Sequence, residues 1–160
     1  MPTETLYCNA FDGTTTAWVE VGSSPYLQDN DVDHIKDYHA GYDERYFRFV
    51  NSSGSGTINL VKIVLEAMTD AGSAIEELVT VYINDNNVGD ISCPINVMTF
   101  LDIDITAILD TWAKIDAATL WLETKIGGYM RYVRRAYLLV DYGGAAAPSL
   151  YQRLIAGVVI

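Results

Sequence analysis

The chain is a succession of short segments of β-branched, aromatic and aliphatic residues, each cut off by a turn signal: Asp12 with Gly13, the run SSGSG at 52–56, NDNN at 84–87, and Gly127 with Gly128. That rhythm constrains the fold more than any other feature, because each segment is short enough to be a strand and too short to be a packed helix. Strands are expected near Thr5 to Phe11, Thr15 to Val21, Tyr46 to Val50, Ile58 to Met68, Leu78 to Ile83, Val88 to Ile91, Val97 to Ile105, Ala118 to Thr124 and Tyr129 to Tyr142. Within INLVKIVLEAM the set Val61, Ile63, Leu65 and Ala67 is wholly apolar, whereas Leu60, Lys62, Val64 and Glu66 are mixed. One face of that strand therefore turns inward.

A single helix breaks the pattern. In DITAILDTWAKID, Asp104 or Thr106 is placed to cap a first turn, and Ile105, Ile108, Leu109 and Trp112 recur at the three- and four-residue spacing of one buried stripe. Antiparallel strands with one short crossover helix predict an all-β fold, a jelly-roll antiparallel β-sandwich whose two inner faces supply the core. At 160 residues the chain makes one ordinary domain. The sandwich is expected over residues 1–142, with a flexible linker, GGAAAP, at 143–148 and an apolar C-terminal extension at 149–160.

Charge narrows the partners. The formal net charge is −11, and residues 1–50 carry nine acids against three bases, residues 51–100 six against one, and residues 101–160 six of each. An acidic field opposes nucleic acid, and no apolar stretch approaches the roughly 20 residues of a membrane span. The basic charge gathers late, at Lys125, Arg131, Arg134, Arg135 and Arg153. An acidic body beside a basic edge suits contact between copies, with Arg131, Arg134 and Arg135 meeting an acidic surface of a neighbour. Cys8 and Cys93 lack any CxxC or histidine spacing and read as inert core residues, with a disulfide between them as the minor alternative. The opening MPTETLYCNAF has no basic region followed by an apolar core, so no secretory signal is visible and assembly within the cell is expected.

The order of features carries a resemblance. WVEVGSSPY (Trp18 to Tyr26), then SGSGTI leading into a long apolar strand, then LDIDITAILDTW and a closing RAYLLVDY resemble jelly-roll domains akin to carbohydrate-binding modules, over residues 11–142. Such domains occur in extracellular proteins and in structural proteins of viruses and microbial filaments. The resemblance implies a β-sandwich and leaves the function to particular residues.

Catalysis is not expected. The two histidines, His34 and His39, lie in DNDVDHIKDYHAGYDE at 29–44, the most polar stretch. Asp29, Asp31 and Asp33 alternate as in a calcium loop, yet the sixth position is His34 where a turn glycine belongs and the twelfth is Ala40 where a glutamate belongs. That stretch reads as a solvated irregular loop, with calcium on the three aspartates as the minor alternative. Asp102 and Asp104 share one strand face opposite Leu101, Ile103 and Ile105, an outward solvated pair rather than a catalytic dyad. No phosphate-binding loop or dinucleotide fingerprint is present, and no cofactor is expected. Eleven tyrosines and three tryptophans invite a sugar platform, but strict alternation splits the last strand's tyrosines, Tyr129 and Tyr137 on one face and Tyr132 and Tyr142 on the other. Trp18, Trp112 and Trp121 sit in apolar patterns and read as core.

The chain ends SLYQRLIAGVVI. Burying Leu150, Tyr151, Leu154, Ile155, Val158, Val159 and Ile160 contributes roughly 10 to 20 kcal/mol, and ordering the backbone costs about the same. Such a tail is expected to order against a groove or open strand edge of an adjacent copy, with a final strand or short helix packed on its own domain as the alternative. The expectation is a noncatalytic self-assembling structural subunit of a virion (capsid, decoration or tail component) or a related extracellular filament. A carbohydrate-binding module is the alternative. Expected partners are other copies of the chain, other proteins of the particle, and glycans, with neither nucleic acid nor a membrane span.

Overall fold

In the computed structural model, INLVKIVLEAM lies within a strand spanning Thr57–Thr69. The structure describes residues 1–12, 19–21, 34–37, 46–70, 77–124 and 130–143. Among these residues there are ten strands, β1 (Thr3–Asp12), β2 (Val19–Val21), β3 (His34–Asp37), β4 (Tyr46–Phe49), β5 (Thr57–Thr69), β6 (Glu77–Ile83), β7 (Asn86–Cys93), β8 (Thr99–Asp104), β9 (Thr119–Thr124) and β10 (Arg131–Gly143), and one helix, α1 (Trp112–Asp116).

Every strand pairing is antiparallel. One sheet runs β1–β10–β5–β8 and the other β4–β9–β6–β7, with β1 joining them. Residues 3–7 of β1 pair with β10, and after a register shift between Cys8 and Ala10 the same strand pairs with β4. Two four-stranded sheets in this alternating order are the double Greek key of a jelly roll. The short β2 and β3 extend the first sheet beside the early part of β10. The region at 29–44 is therefore not irregular throughout, since His34–Asp37 is a strand held by partners on both sides.

The inner faces meet in one core: Leu6, Cys8, Phe47, Val61, Ile63, Leu65, Val79, Val81, Ile83, Leu120, Leu122, Leu138 and Val140 are all buried there. Cys8 and Cys93 are both buried thiols, and burial pushes that of Cys8 well above its ordinary pKa. In β5 the expected set Val61, Ile63, Leu65 and Ala67 faces inward, but Val64 and Glu66 on the other face are buried as well. Flanked by β10 and β8, this strand has long side chains on both neighbours to cover its outer face.

Turn chemistry sets the register where the sequence signalled it. Asn84 and Asp85 both take positive φ (49° and 62°) between β6 and β7, the requirement of a two-residue hairpin that matches strand twist. The Asn84 side chain also accepts the backbone N–H of Thr119 at 2.9 Å, fixing the hairpin to β9.

The helix begins later than the apolar spacing suggests. The Asp104 carboxylate accepts the Thr106 N–H (2.9 Å) and hydroxyl (2.6 Å), and the Thr106 hydroxyl in turn accepts the Val61 N–H (2.9 Å). Thr106 is thereby held as the end of the β5–β8 ladder rather than as a helix cap. A single turn follows, with the N–H groups of Ile108 and Leu109 both bonded to the Ile105 carbonyl. The Thr111 hydroxyl then caps the true start by accepting the Lys114 N–H at 3.3 Å. Ile105 and Leu109 are buried as expected, and this segment carries the chain from the first sheet to the second.

Candidate interaction face

A bulge in β10 determines what the outer face of the first sheet presents. The register of β10 against β5 shifts between Val133 and Arg135. Before the shift the buried residues are Arg131 and Val133, and after it Ala136, Leu138 and Val140. One extra residue thus reverses the parity of the strand. Two expectations are corrected by it. Tyr132 and Tyr137 fall on the same, outer face, not on opposite ones. Arg131 is 0% exposed, so it is an interior residue and not an outward contact for a neighbour.

Arg134 and Arg135 are both engaged within the chain. Glu66 sits opposite Arg135 and Phe100 in the ladder, and only 4% of it is exposed. Its carboxylate accepts Arg134 Nε at 2.9 Å and a second bond from the same guanidinium, with Arg135 Nε at 3.5 Å. A buried carboxylate needs such pairing, and the two-pronged guanidinium supplies it. Arg135 also lies over the Phe100 ring, 5.9 Å from its centroid.

Around this cluster runs an aromatic row from β8 to β1. Phe100 is 51% exposed, and its ring lies 6.5 Å from that of Tyr137, tilted by 61°. Tyr137 lies 5.2 Å from Tyr7 at 54°. Further along β8, Asp102 pairs with Lys62 at 2.8 Å and stays half-exposed, and Asp104 is exposed as expected. The Thr106 hydroxyl, then the Thr106 N–H, holds the Asp104 carboxyl below its usual pKa, whereas Asp102 raises that of Lys62.

The second sheet carries a different aromatic pair on its outer side. Tyr82 and Trp121 stack with centroids 3.7 Å apart and planes 7° from parallel. The Tyr82 hydroxyl donates to Glu123 at 2.7 Å, and the Thr80 hydroxyl to Asp90 at 2.6 Å. Trp121 is buried, as expected, and so offers no open ring face.

Asp29, Asp31, Asp33, Trp18, Tyr129 and the tail residues Leu150, Tyr151, Leu154, Ile155, Val158, Val159 and Ile160 lie outside the described residues. Among the described residues no group of three or more histidines, cysteines and carboxylates stands close enough to hold a metal, and no helix is long and apolar enough to cross a membrane.

Sequence reasoning passed over Phe100 and Glu66, though signals for both were present. The parity of TFLDID puts Phe100 on the face of Asp102 and Asp104, where an aromatic ring has no core to enter. A glutamate inside an apolar strand implies a cationic partner on a neighbouring strand.

Neither a family model nor a curated protein matches the chain. Among solved structures it is similar to the CBM36-1 domain of a multidomain xylanase from the hindgut metagenome of Trinervitermes trinervoides, at 13% identity and a TM-score of 0.46, covering 91% of this chain and 100% of that one. At that distance the likeness bears on neither ligand nor role, and the sandwich itself rests on the strand pairing above.

Proposed function

We propose that the chain is a noncatalytic structural subunit that assembles with copies of itself, as a component of a virion or a related extracellular filament. The observation that carries this reading is the outer face of the first sheet, where exposed Phe100 stands with the partly buried Tyr137, Tyr7 and Arg135 around the ion-paired Glu66. Aromatic residues and arginine are what protein interfaces concentrate at their centres. The ring tilts of 54° and 61° turn edges toward one another and leave no coplanar platform of the kind a sugar ring stacks on.

A carbohydrate-binding role is the second reading, favoured by the exposure of Phe100 and by three aromatic rings in one row across the sheet. The two are separated by light scattering on the purified full chain, together with a glycan array. Assembly into oligomers or polymers that is lost when the chain is cut after Ala147, with the fold retained, supports the structural reading. A monomer at all concentrations that binds glycans, and loses them with Phe100→Ala, replaces it by the second.

A further inference from the structure

Strand β8 lies at the end of the first sheet as described. Among the described residues it pairs with β5 alone. The Ile105 N–H bonds the Val61 carbonyl at 2.9 Å, and by antiparallel alternation Ile103, Leu101 and Thr99 also aim their backbone groups at β5. Phe100, Asp102 and Asp104 therefore present N–H and C=O groups to the open side. An edge of six residues that carries exposed Phe100 (51%) and follows exposed Val97 (58%) is a template for another strand.

The apolar C-terminal extension matches that template in parity and in charge. Along 150–155, Leu150, Gln152 and Leu154 alternate with Tyr151, Arg153 and Ile155, and Arg153 is the only Lys, Arg, Asp or Glu in residues 144–160. Laid antiparallel with Arg153 opposite Asp102, the segment places Ile155 against Phe100 and Tyr151 against Asp104. Leu150, Gln152 and Leu154 then fall on the side of Ile105, Ile103 and Leu101, where the two leucines continue the core on either side of the glutamine. A shift of one residue would turn both leucines to solvent and take Arg153 from the carboxylates. We propose that residues 150–155 of a second copy add to β8 as an antiparallel strand, with Arg153 opposite Asp102. This rests on the self-assembly reading and names its joint.

A second copy fits better than the chain's own tail because of what covers that end of the sheet. β10 ends at Gly143 opposite Thr57, and the crossover after β8 packs at that end of the sheet, with Thr106 against Val61. There the Trp112 indole N–H donates to the Gly56 carbonyl at 2.9 Å, and its ring packs edge-on against Tyr142 at 5.0 Å.

The test uses two full-length variants, Asp102→Cys and Arg153→Cys, mixed under mild oxidation. Directly opposed residues stand about 4.5 to 5.5 Å apart at Cα, within disulfide reach, and the native thiols are buried. A band of twice the chain mass is expected, forming at least about tenfold faster than with Leu154→Cys in place of Arg153→Cys, because the neighbouring side chain points to the other face. Equal rates for the two partners, or no band from a mixture that light scattering shows to be assembled, overturns the proposed joint while self-assembly stands. An Asp102→Cys/Arg153→Cys double variant that closes internally as a monomer, with no band from the mixture, places the tail on its own domain and also overturns it. If the unmodified chain never associates, the self-assembly reading fails first.

Discussion

At the scale of single residues, the outer face of the first sheet turns on Glu66. With 4% of it exposed it depends on Arg134, whose guanidinium makes the two-pronged contact, and secondarily on Arg135. Arg134→Met keeps the aliphatic stem but leaves the carboxylate with the weaker partner, and is expected to cost about 2 to 4 kcal/mol in urea denaturation. Arg134→Met combined with Glu66→Leu is expected to recover most of that loss. A single-variant cost below about 0.5 kcal/mol would mean that water replaces the guanidinium. Asp104 acts through pH. Its carboxyl is held below the usual range by the Thr106 hydroxyl, so folding favours the ionised form. That contribution is fully present above the unfolded carboxylate value of about 4 and is lost as pH falls through the lower native value. Urea midpoints between about pH 5 and 2 should fall further for the unmodified chain than for Asp104→Asn, whose side-chain oxygen accepts the same bonds without titrating. Parallel curves would remove Asp104 from the acid response.

At the scale of elements, the crossover between β8 and β9 works as a latch rather than a core plug. Trp112 is half-buried, tied to Gly56 by its indole N–H and resting on Gly54, where an added Cβ would come within 2.1 Å of the ring. Gly54→Ala therefore cannot be accommodated without moving the indole, and is expected to cost about 1 to 3 kcal/mol as overpacking. Trp112→Ala loses a partly exposed ring and one hydrogen bond, about 1.5 to 3 kcal/mol, less than the cost of about 3 to 5 for a fully buried tryptophan. In the double variant the costs should fail to add, since alanine at 54 clashes with nothing once the indole is gone. Additivity within about 0.3 kcal/mol would show that the two do not touch in solution.

At the scale of the whole molecule, β1 couples the sheets, pairing with β10 through Tyr7 and with β4 from Cys8 onward. Neither sheet has an independent core, so circular dichroism and tryptophan fluorescence should follow one urea transition with coincident midpoints. The pairings β1–β10 and β4–β9 join distant parts of the chain, and refolding is expected on the millisecond-to-second scale of such topologies. Two separated transitions would mean that the sheets fold as units.

What the sequence determined by itself is the β-rich class, the inward set of β5, the hairpin at Asn84 and the outward Asp102 and Asp104, because alternation and turn chemistry act over a few neighbouring residues. The tertiary structure decided the rest. The bulge at Arg134 exists to fit β10 against β5, and it alone sent Arg131 inward and set Tyr132 and Tyr137 on one face. The helix start moved to Thr111 because Thr106 was claimed by Val61, forty-five positions earlier in the chain. His34–Asp37 became a strand because β2 and β10 supplied hydrogen-bond partners that its own polar side chains give no hint of. Which strand ended the described sheet followed from the order of pairing. In each case the deciding contact lies across the sheet from the residue it positions, where a pattern read along the chain cannot reach.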